Sequence, residues 1–371
     1  MITIKTSESV NIGHPDKTCD YIADCFLDEA LKQDKNSQMA VECAIKNNKL
    51  FIYGEATTNA QIDYDSIAKK VLKDIGYSNE FTIIREISKQ SNEINNAINQ
   101  KEISANDQGI IFGYATNETK ELLPLPITIA HKLMKKYEEY RKTNQLFKAD
   151  AKCQVSIAYE NDKPLYIDNI LLSVSHDKNI QTKEIAKLMQ KNVIAKVLQE
   201  YQNFVTDKTR YIINPSGSFT IWGSFGDSGC VGRKIVVDTY GGFGKVGGGC
   251  FSSKNATKVD RSSAYYARYV AKNIVHYNLA EKCEIEVSYA IGISKPISMF
   301  IDCFGTNKVD MKTIYKFVEN NFDFSVKNII EELDLLSPIY SHTSCYGHFG
   351  NPNFRWEKIK DINVSHEISN N

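Results

Sequence analysis

The chain has 371 residues, of which 42% are hydrophobic and 24% charged, as in a soluble globular protein of two or three structural units. Its 45 basic and 45 acidic residues cancel, which argues against nucleic acid as a partner but allows a local basic pocket. No apolar run reaches the length of a membrane span, so we expect no membrane association. The nine cysteines form no CxxC pair, which predicts a reducing, cytoplasmic location without a structural metal.

A helix is predicted to begin at GHPDK, residues 13–17. Pro15 suits the first turn of a helix, where its missing N–H would be unpaired in any case. Apolar residues then recur at helical spacing: Cys19, Ile22, Ala23, Phe26, Ala30 and Leu31. His14 would therefore lie at the helix start, where unpaired N–H groups and the helix dipole attract anions. A capping histidine with solvated neighbours is the alternative interpretation.

The order helix, strand, strand, helix occurs three times along the chain. The first strand of each pair alternates apolar and other residues, and the three pairs occupy 39–58, 153–175 and 283–304. The flanking helices are predicted from 15, near 65–75, from 126, across 182–201, from 260 and from about 311. Alternation with one apolar face predicts an α+β fold of three similar subdomains, each an antiparallel sheet covered by helices. The predicted boundaries are 1–98, 104–222 and 223–360, with a tail at 361–371.

Two long connections join these units. Residues 90–106 are polar and rich in asparagine, which fits either a disordered connection or a lid over a ligand. Residues 241–259 contain six glycines and the lysines Lys254 and Lys258, a composition suited to phosphate or to a flexible linker. The formal GxGxxG at 242–247 does not indicate a dinucleotide site, because no helix is predicted to open at its third glycine.

Charged residues stand at strand entries and within strands. Glu42 and Glu55 interrupt predicted strands, and a buried carboxylate needs a partner. The cations concentrate at junctions between loops and strands: Lys152, Arg233, Lys234, Lys254 and Lys258. In a neutral protein this distribution indicates a small polyanionic ligand, for which a triphosphate is the obvious candidate.

Six motifs resemble one family, methionine adenosyltransferase, also called S-adenosylmethionine synthetase. They are GHPDK at 13–17, NDQG at 106–109, FGYATNE at 112–118, GRKIVVDTYGG at 232–242, KVDRSSAY at 258–265 and YGHFG at 346–350. They occur in the family's order between Thr6 and about Trp356. The resemblance implies three α+β subdomains about a pseudo-threefold axis, in agreement with the repeat.

The resemblance also implies a reaction, in which methionine sulfur attacks C5′ of ATP and expels tripolyphosphate, which is cleaved to pyrophosphate and phosphate. It implies ATP and L-methionine as substrates, two Mg²⁺ ions per site, and K⁺. It further implies a homodimer or homotetramer whose active sites are shared between subunits. A thioether has no proton to lose, so the chemistry requires orientation and charge stabilisation rather than a general base.

Residue roles carry over by position. The resemblance assigns catalysis to His14, Lys152, Arg233 and Lys254. It assigns ATP binding to these four and to Asp150, Ser218, Phe219, Asp227, Lys234, Cys250 and Lys258. It assigns methionine binding to Glu55, Gln90, Asp107, Asp227 and Lys258. It assigns Mg²⁺ to Asp16 and Asp260, and K⁺ to Glu42.

The chain departs from the family pattern in a few places. PSGSF has Ser218 where the family usually has arginine, WGS has Trp222 in place of a glycine, and Cys250 replaces an alanine. These changes favour a weaker nucleotide site or, in one alternative, a non-catalytic regulatory subunit. A second alternative keeps ATP but changes the nucleophile. A dinucleotide-dependent dehydrogenase is the least favoured alternative, because the order of elements lacks alternating strands and crossover helices.

Overall fold

Three β-sheets carry the fold in the computed structural model, which describes residues 1–89 and 103–363. The strands are β1 (Ile2–Val10), β2 (Gln38–Lys46), β3 (Lys49–Thr57), β4 (Thr82–Ser88), β5 (Gly109–Thr116), β6 (Phe147–Glu160), β7 (Lys163–His176), β8 (Arg210–Ile213), β9 (Gly229–Cys230), β10 (Lys282–Tyr289) and β11 (Ser298–Asp302). The helices are α1 (Pro15–Gln33), α2 (Tyr64–Ile75), α3 (Leu125–Thr143), α4 (Thr182–Met189), α5 (Ala195–Leu198), α6 (Ile235–Asp238), α7 (Val259–His276), α8 (Met311–Asn321) and α9 (Val326–Glu332). Within the described ranges, no helix is long and apolar enough to cross a membrane.

The three predicted passes of helix, strand, strand, helix are confirmed as α1-β2-β3-α2, α3-β6-β7-α4 and α7-β10-β11-α8. Each strand pair is an antiparallel hairpin. The alternation in β2 reflects burial, since Met39, Val41, Cys43 and Ile45 are each at most 2% exposed. The apolar faces meet helices, so the α+β class with antiparallel hairpins is confirmed.

Each hairpin takes an edge strand from another part of the chain. β1 pairs with β6, β5 pairs with β10, and the short β9 pairs with β2, all antiparallel. The sheets therefore do not follow the contiguous segments predicted as subdomains, whose boundaries remain a prediction. This exchange brings GHPDK, which follows β1, close to the strands and loops of the other segments.

Two outer strands are parallel, whereas the sequence predicted antiparallel sheets. β4 pairs parallel with β3, and β8 pairs parallel with β7. The reason is the helix between each pair, α2 in the first case and α4 in the second, which returns the chain to the same end of the sheet. The long helix predicted at 182–201 is interrupted by a π-helical turn at Gln190–Ile194, between α4 and α5.

Four aspartates of α1 fasten distant loops to this helix. Asp16, Asp20, Asp24 and Asp28 recur every four residues, so they lie on one face of the helix, and all four are buried. Each accepts backbone N–H groups from another segment. Asp16 accepts that of Cys230 at 3.0 Å, and Asp20 that of Gly232 at 2.9 Å. Asp24 accepts that of Ser253 at 3.0 Å, and Asp28 those of Tyr340 and Ser341, both at 2.8 Å. These loops carry most of the predicted cations, so α1 positions them.

We expect Arg268→Met to lower the free energy of unfolding by about 3–5 kcal/mol, because it leaves a buried carboxylate short of a partner. Arg268 is fully buried, donates to both oxygens of Glu357, and donates to the carbonyls of Tyr114, Glu121 and Leu122. Equilibrium denaturation with urea measures the change. The matched control is Lys327→Met, whose ion pair is exposed and which should have no measurable effect. Equal effects of the two substitutions would contradict the expectation.

Candidate active site

The start of α1 is capped by His14, whose Nδ1 accepts the N–H of Asp16 at 3.3 Å. The capping role is therefore confirmed, whereas the solvated neighbours of the alternative interpretation are wrong, because Asp16 and Lys17 are buried. Capping does not preclude a chemical role. Burial, followed by the positive charge of Lys234, lowers the pKa of His14 to about 4, so the ring is neutral at neutral pH. A neutral ring that accepts at Nδ1 carries its proton on Nε2. His14 can thus donate a hydrogen bond to an anion at the helix start.

Asp16 is the centre of a first charged group. Its carboxylate is 1% exposed and receives Lys234 at 2.7 Å and the Arg233 Nε at 3.5 Å. His14 Nδ1 lies 3.8 Å from the same carboxylate. The structure therefore brings four predicted site residues together, with two cations in contact with one carboxylate and the His14 ring beside it. We call His14, Asp16, Arg233 and Lys234 the first charged group.

Three further predicted residues surround this group. The charges of Lys152 and Asp227 act on the pKa of His14, and both also act on the pKa of Asp150. Lys152 forms an ion pair with Glu8 at 2.9 Å, a partner that the sequence did not indicate. Asp150 is buried and accepts the N–H of Gly223 at 2.9 Å. Burial raises the pKa of Asp150 to about 7, and the negative charges of Asp227 and Asp16 act in the same direction.

A second charged group forms where the glycine-rich connection meets α7. Lys254 pairs with Asp260, and Lys258 stands at the N-cap of the helix. Burial and the charge of Lys254 lower the pKa of Lys258, while Glu55, Asp107 and Asp260 oppose this shift. Gly249 packs on Asp260 so closely that a Cβ would lie 2.3 Å from the aspartate Cγ. We call Lys254, Lys258, Asp260, Glu55 and Asp107 the second charged group.

Glu42 lies in β2, and Cys250 lies in the glycine-rich connection at 241–259. Glu42 is half-buried and accepts a hydrogen bond from the Tyr53 hydroxyl at 3.3 Å, so this carboxylate has a partner within its own hairpin. Burial raises the pKa of Cys250 to about 11, and the residue is a thiol rather than a thiolate at neutral pH. Cys250 also packs against Gly232, where a Cβ would lie 2.3 Å from that of the cysteine. The loops bearing the two charged groups thus touch at this point.

Direct contact does not extend from one charged group to the other. Among residues 1–89 and 103–363, no hydrogen bond or ion pair joins a member of the first group to a member of the second. Ser218 is exposed, and the backbone of Phe219 is tied to His176 by two hydrogen bonds. Gln90 lies outside the described residues. The predicted residues therefore form two groups that share no direct bond, although the loops that carry them touch between Gly232 and Cys250.

Comparison with known proteins identifies the family. The N-terminal, central and C-terminal domains of S-adenosylmethionine synthetase match residues 3–102, 102–219 and 221–358. Two proteins named S-adenosylmethionine synthase, from Mycoplasma capricolum subsp. capricolum and Mycoplasma mycoides subsp. mycoides SC, are each 50% identical over 98% of this chain and 96% of their own. The chain belongs to the S-adenosylmethionine synthetase family. The resemblance drawn from the six motifs is thereby confirmed, and the chain is an enzyme of this family.

The acidic residues predicted to hold Mg²⁺ stand singly. In the part of the chain that the structure describes, no group of three His, Cys, Asp or Glu side chains could hold a metal ion. Asp16 and Asp260 each carry a lysine ammonium at the position where a cation would bind. Because Mg²⁺ is often held by one or two carboxylates together with substrate phosphates, this donor set fits an ion that arrives with a nucleotide.

Several residues that build the site were not predicted. Glu8, Lys17 and Tyr53 pair with charged residues in or beside it, and Asp20 and Asp24 hold its loops. The four-residue spacing of the aspartates was a usable signal, since it places them on one helix face. Carboxylates on a helix usually face solvent, however, and the backbone donors that bury these are remote in sequence.

We expect Asp150 to contribute a component of the free energy of unfolding that falls as the pH rises from about 4 to about 7. The ordinary pKa of its carboxyl is 3.8 and the folded value about 7, so the folded chain keeps a proton that the unfolded chain has lost. The stabilisation that this bound proton contributes is therefore lost as the pH rises through the folded pKa. Asp150→Asn should remove this component of the slope while its amide oxygen still accepts the Gly223 N–H.

Denaturation measured at steps across this pH range provides the test. The control is Asp168→Asn, because a hydrogen bond from Asn169 and the Arg210 ion pair lower the pKa of Asp168. Its contribution has the opposite sign and disappears only at more acid pH. A slope in Asp150→Asn equal to that of the wild type would assign the titration to another group.

Proposed function

We propose that this enzyme forms S-adenosylmethionine from ATP and L-methionine by in-line attack of the methionine sulfur on C5′ of ATP. The tripolyphosphate that leaves is then cleaved to pyrophosphate and phosphate. The observation that carries the proposal is the first charged group, in which His14, Arg233 and Lys234 converge at the start of α1. Family membership supplies the substrates.

The first charged group suits the departure of a triphosphate. Negative charge develops on the oxygen that leaves C5′, and a neutral His14 can donate its Nε2–H to that oxygen. The N-terminus of α1, Arg233 and Lys234 stabilise the same charge. Lys152, 40% exposed, can exchange Glu8 for a phosphate oxygen. No residue needs to remove a proton, because a thioether has none to lose.

The second charged group suits the amino-acid substrate. Lys258, partly desolvated and flanked by Glu55 and Asp107, offers one cation and two carboxylates. A zwitterionic amino acid needs this combination, with the lysine for its carboxylate and an acidic residue for its ammonium. Lys254 belongs to this second group and would face the phosphates that we assign to the first. Gln90, outside the described residues, remains a predicted methionine ligand.

Two kinds of cation complete the proposal. Asp16 and Asp260 would each hold one of two Mg²⁺ ions together with phosphate oxygens, and these ions neutralise charge on the triphosphate. Glu42 would hold K⁺ near the contact of the two loops, where Tyr53 provides a second oxygen. Before they could bind Mg²⁺, Asp16 would have to release Lys234 and Asp260 would have to release Lys254.

We further propose that the enzyme is a cytoplasmic homodimer or homotetramer in which the first charged group of one subunit faces the second group of its partner. The two groups share no hydrogen bond or ion pair among the described residues of one chain, which is compatible with this arrangement. Apolar side chains also stand on the outer faces of the sheets: Phe51, Ile84, Ile110 and Phe300 are 43–53% exposed, and Phe51 and Ile84 are register partners. A surface of this kind favours association. The pseudo-threefold arrangement of the subdomains is part of the same proposal.

The departures from the family pattern are compatible with activity. Trp222 packs on Tyr77 with ring centroids 4.7 Å apart, so it fills space within its own chain. Ser218 is exposed and takes no part in either charged group. We therefore expect weaker nucleotide binding rather than a regulatory subunit without catalysis.

The purified protein should form S-adenosylmethionine, detected by mass spectrometry, from ATP, L-methionine, Mg²⁺ and K⁺. His14→Ala should lower kcat by ~10²–10³, the loss typical of one donor to a developing oxyanion. The matched control is His276→Ala at the exposed end of α7, which should leave kcat unchanged. ATP cleavage without a sulfonium product would contradict the assignment of methionine and indicate a different nucleophile.

Subunit mixing should reveal a shared site. We expect His14→Ala and Lys254→Met each to be nearly inactive, and a mixture dissociated and reassembled together to recover activity. In a mixed dimer, one site would carry both substitutions and the other neither. If each site belonged to a single chain, the mixture would stay as inactive as its components. Size-exclusion chromatography after reassembly establishes that mixed oligomers have formed.

A further inference from the structure

Lys17, the last residue of GHPDK, is buried and has no part in the proposed chemistry. Its side chain is 0% exposed, and its ammonium pairs with Asp20, at 2.9 Å, and with Asp238. Burial alone would lower the pKa of Lys17, but the two carboxylates raise it above its ordinary value, so the group stays charged. A lysine in this position cannot reach a phosphate and must act through its partners.

The two partners of Lys17 hold the two ends of the segment 232–238. Asp20 accepts the N–H of Gly232 at 2.9 Å, immediately before Arg233. Asp238 donates its own N–H to the carbonyl of Lys234 at 2.9 Å, which closes the single turn of α6. The segment that carries both cations of the first charged group is therefore fastened to α1 at each end.

Lys17 is also the partner that neutralises these carboxylates. Among the described residues, the only other basic group within ion-pair distance of Asp20 or Asp238 is His348, whose Nε2 lies 3.9 Å from the Asp238 carboxylate. Burial holds the pKa of His348 well below its ordinary value, so this ring is neutral. Burial raises the pKa of Asp20 and of Asp238, and the positive charge of Lys17 opposes both shifts. Without Lys17, the joint between α1 and the segment would hold two buried acidic groups with no cation to offset them.

The second charged group is fastened independently. Asp24 accepts the N–H of Ser253 and pairs with Arg261, which donates to the carbonyl of Lys254 at 3.2 Å. None of these bonds involves Lys17. Loss of Lys17 should consequently disturb one charged group and leave the other in place.

We infer that Lys17 is a positioning residue for anion binding, which holds segment 232–238 against α1 so that Arg233 and Lys234 face the same anion as His14. This inference rests on the proposed function of the site. It predicts a selective effect: weaker binding of the triphosphate and unchanged binding of methionine. Substitution of a residue that only stabilised the fold would weaken the binding of both ligands alike.

The test is isothermal titration calorimetry on the full chain with inorganic tripolyphosphate and Mg²⁺, and separately with L-methionine. Lys17→Met should reduce tripolyphosphate affinity by about tenfold or more, as expected when a displaced Arg233 or Lys234 loses one charge-assisted hydrogen bond to a phosphate. Methionine affinity should stay within about twofold, because Asp24 still holds the second group. The control is Lys32→Met, an exposed lysine of the same helix, which should change neither affinity.

A second variant separates positioning from stability. Lys17→Met combined with Asp20→Asn and Asp238→Asn leaves no unpaired carboxylate, so its thermal stability should return towards that of the wild type. We expect its tripolyphosphate affinity to remain low, and this variant decides the question if the single substitution does not fold. Wild-type tripolyphosphate affinity in the triple variant, or equal losses for both ligands, would overturn the inference. Absence of S-adenosylmethionine formation by the wild type would instead refute the proposed function.

Discussion

The fold depends on a row of four buried carboxylates along α1. Asp16, Asp20, Asp24 and Asp28 accept backbone N–H groups from loops that are far away in sequence. A buried N–H without a partner destabilises the folded state, and so does a buried carboxylate without donors. Each group satisfies the other here, so the loops gain a defined place without forming regular secondary structure. One helix thereby determines where the cationic segments of the chain lie.

This arrangement explains how flexible sequence can form an ordered site. The connection at 241–259 is rich in glycine and would be mobile in isolation, yet Ser253 is bound by Asp24 and Gly249 packs on Asp260. The segment with Arg233 is bound by Asp16 and Asp20. Because both connections attach to successive turns of the same helix, their relative position follows from the helical rise. Preorganised charge of this kind contributes to binding without a further cost in loop ordering.

Much of the fold could be predicted, because burial of one face of a strand appears in the sequence as a local alternation of apolar residues. Met39, Val41, Cys43 and Ile45 alternate because one face of β2 is buried, and the other two hairpins repeat this pattern. The exchange of edge strands has no such local pattern. Nothing in Ile2–Val10 indicates that it pairs with Phe147–Glu160 rather than with a strand that is close in sequence. The parallel β4 and β8 were missed for the same reason. Residue types at the site were predicted from motifs, whereas partners such as Glu8 and Tyr53 depend on that pairing.

The cations of the candidate site are already paired with carboxylates, and this bears on how a polyanion could bind. Lys234 contacts Asp16, Lys254 contacts Asp260, and Lys152 contacts Glu8. A triphosphate that took these lysines would leave three carboxylates beside its own negative charge, which is unfavourable in a partly buried site. If the carboxylates received divalent cations in exchange, each charge would keep a partner of opposite sign. Under the proposed function, the same ion pairs that hold the lysines in place would thus select a metal-bound triphosphate over a free one.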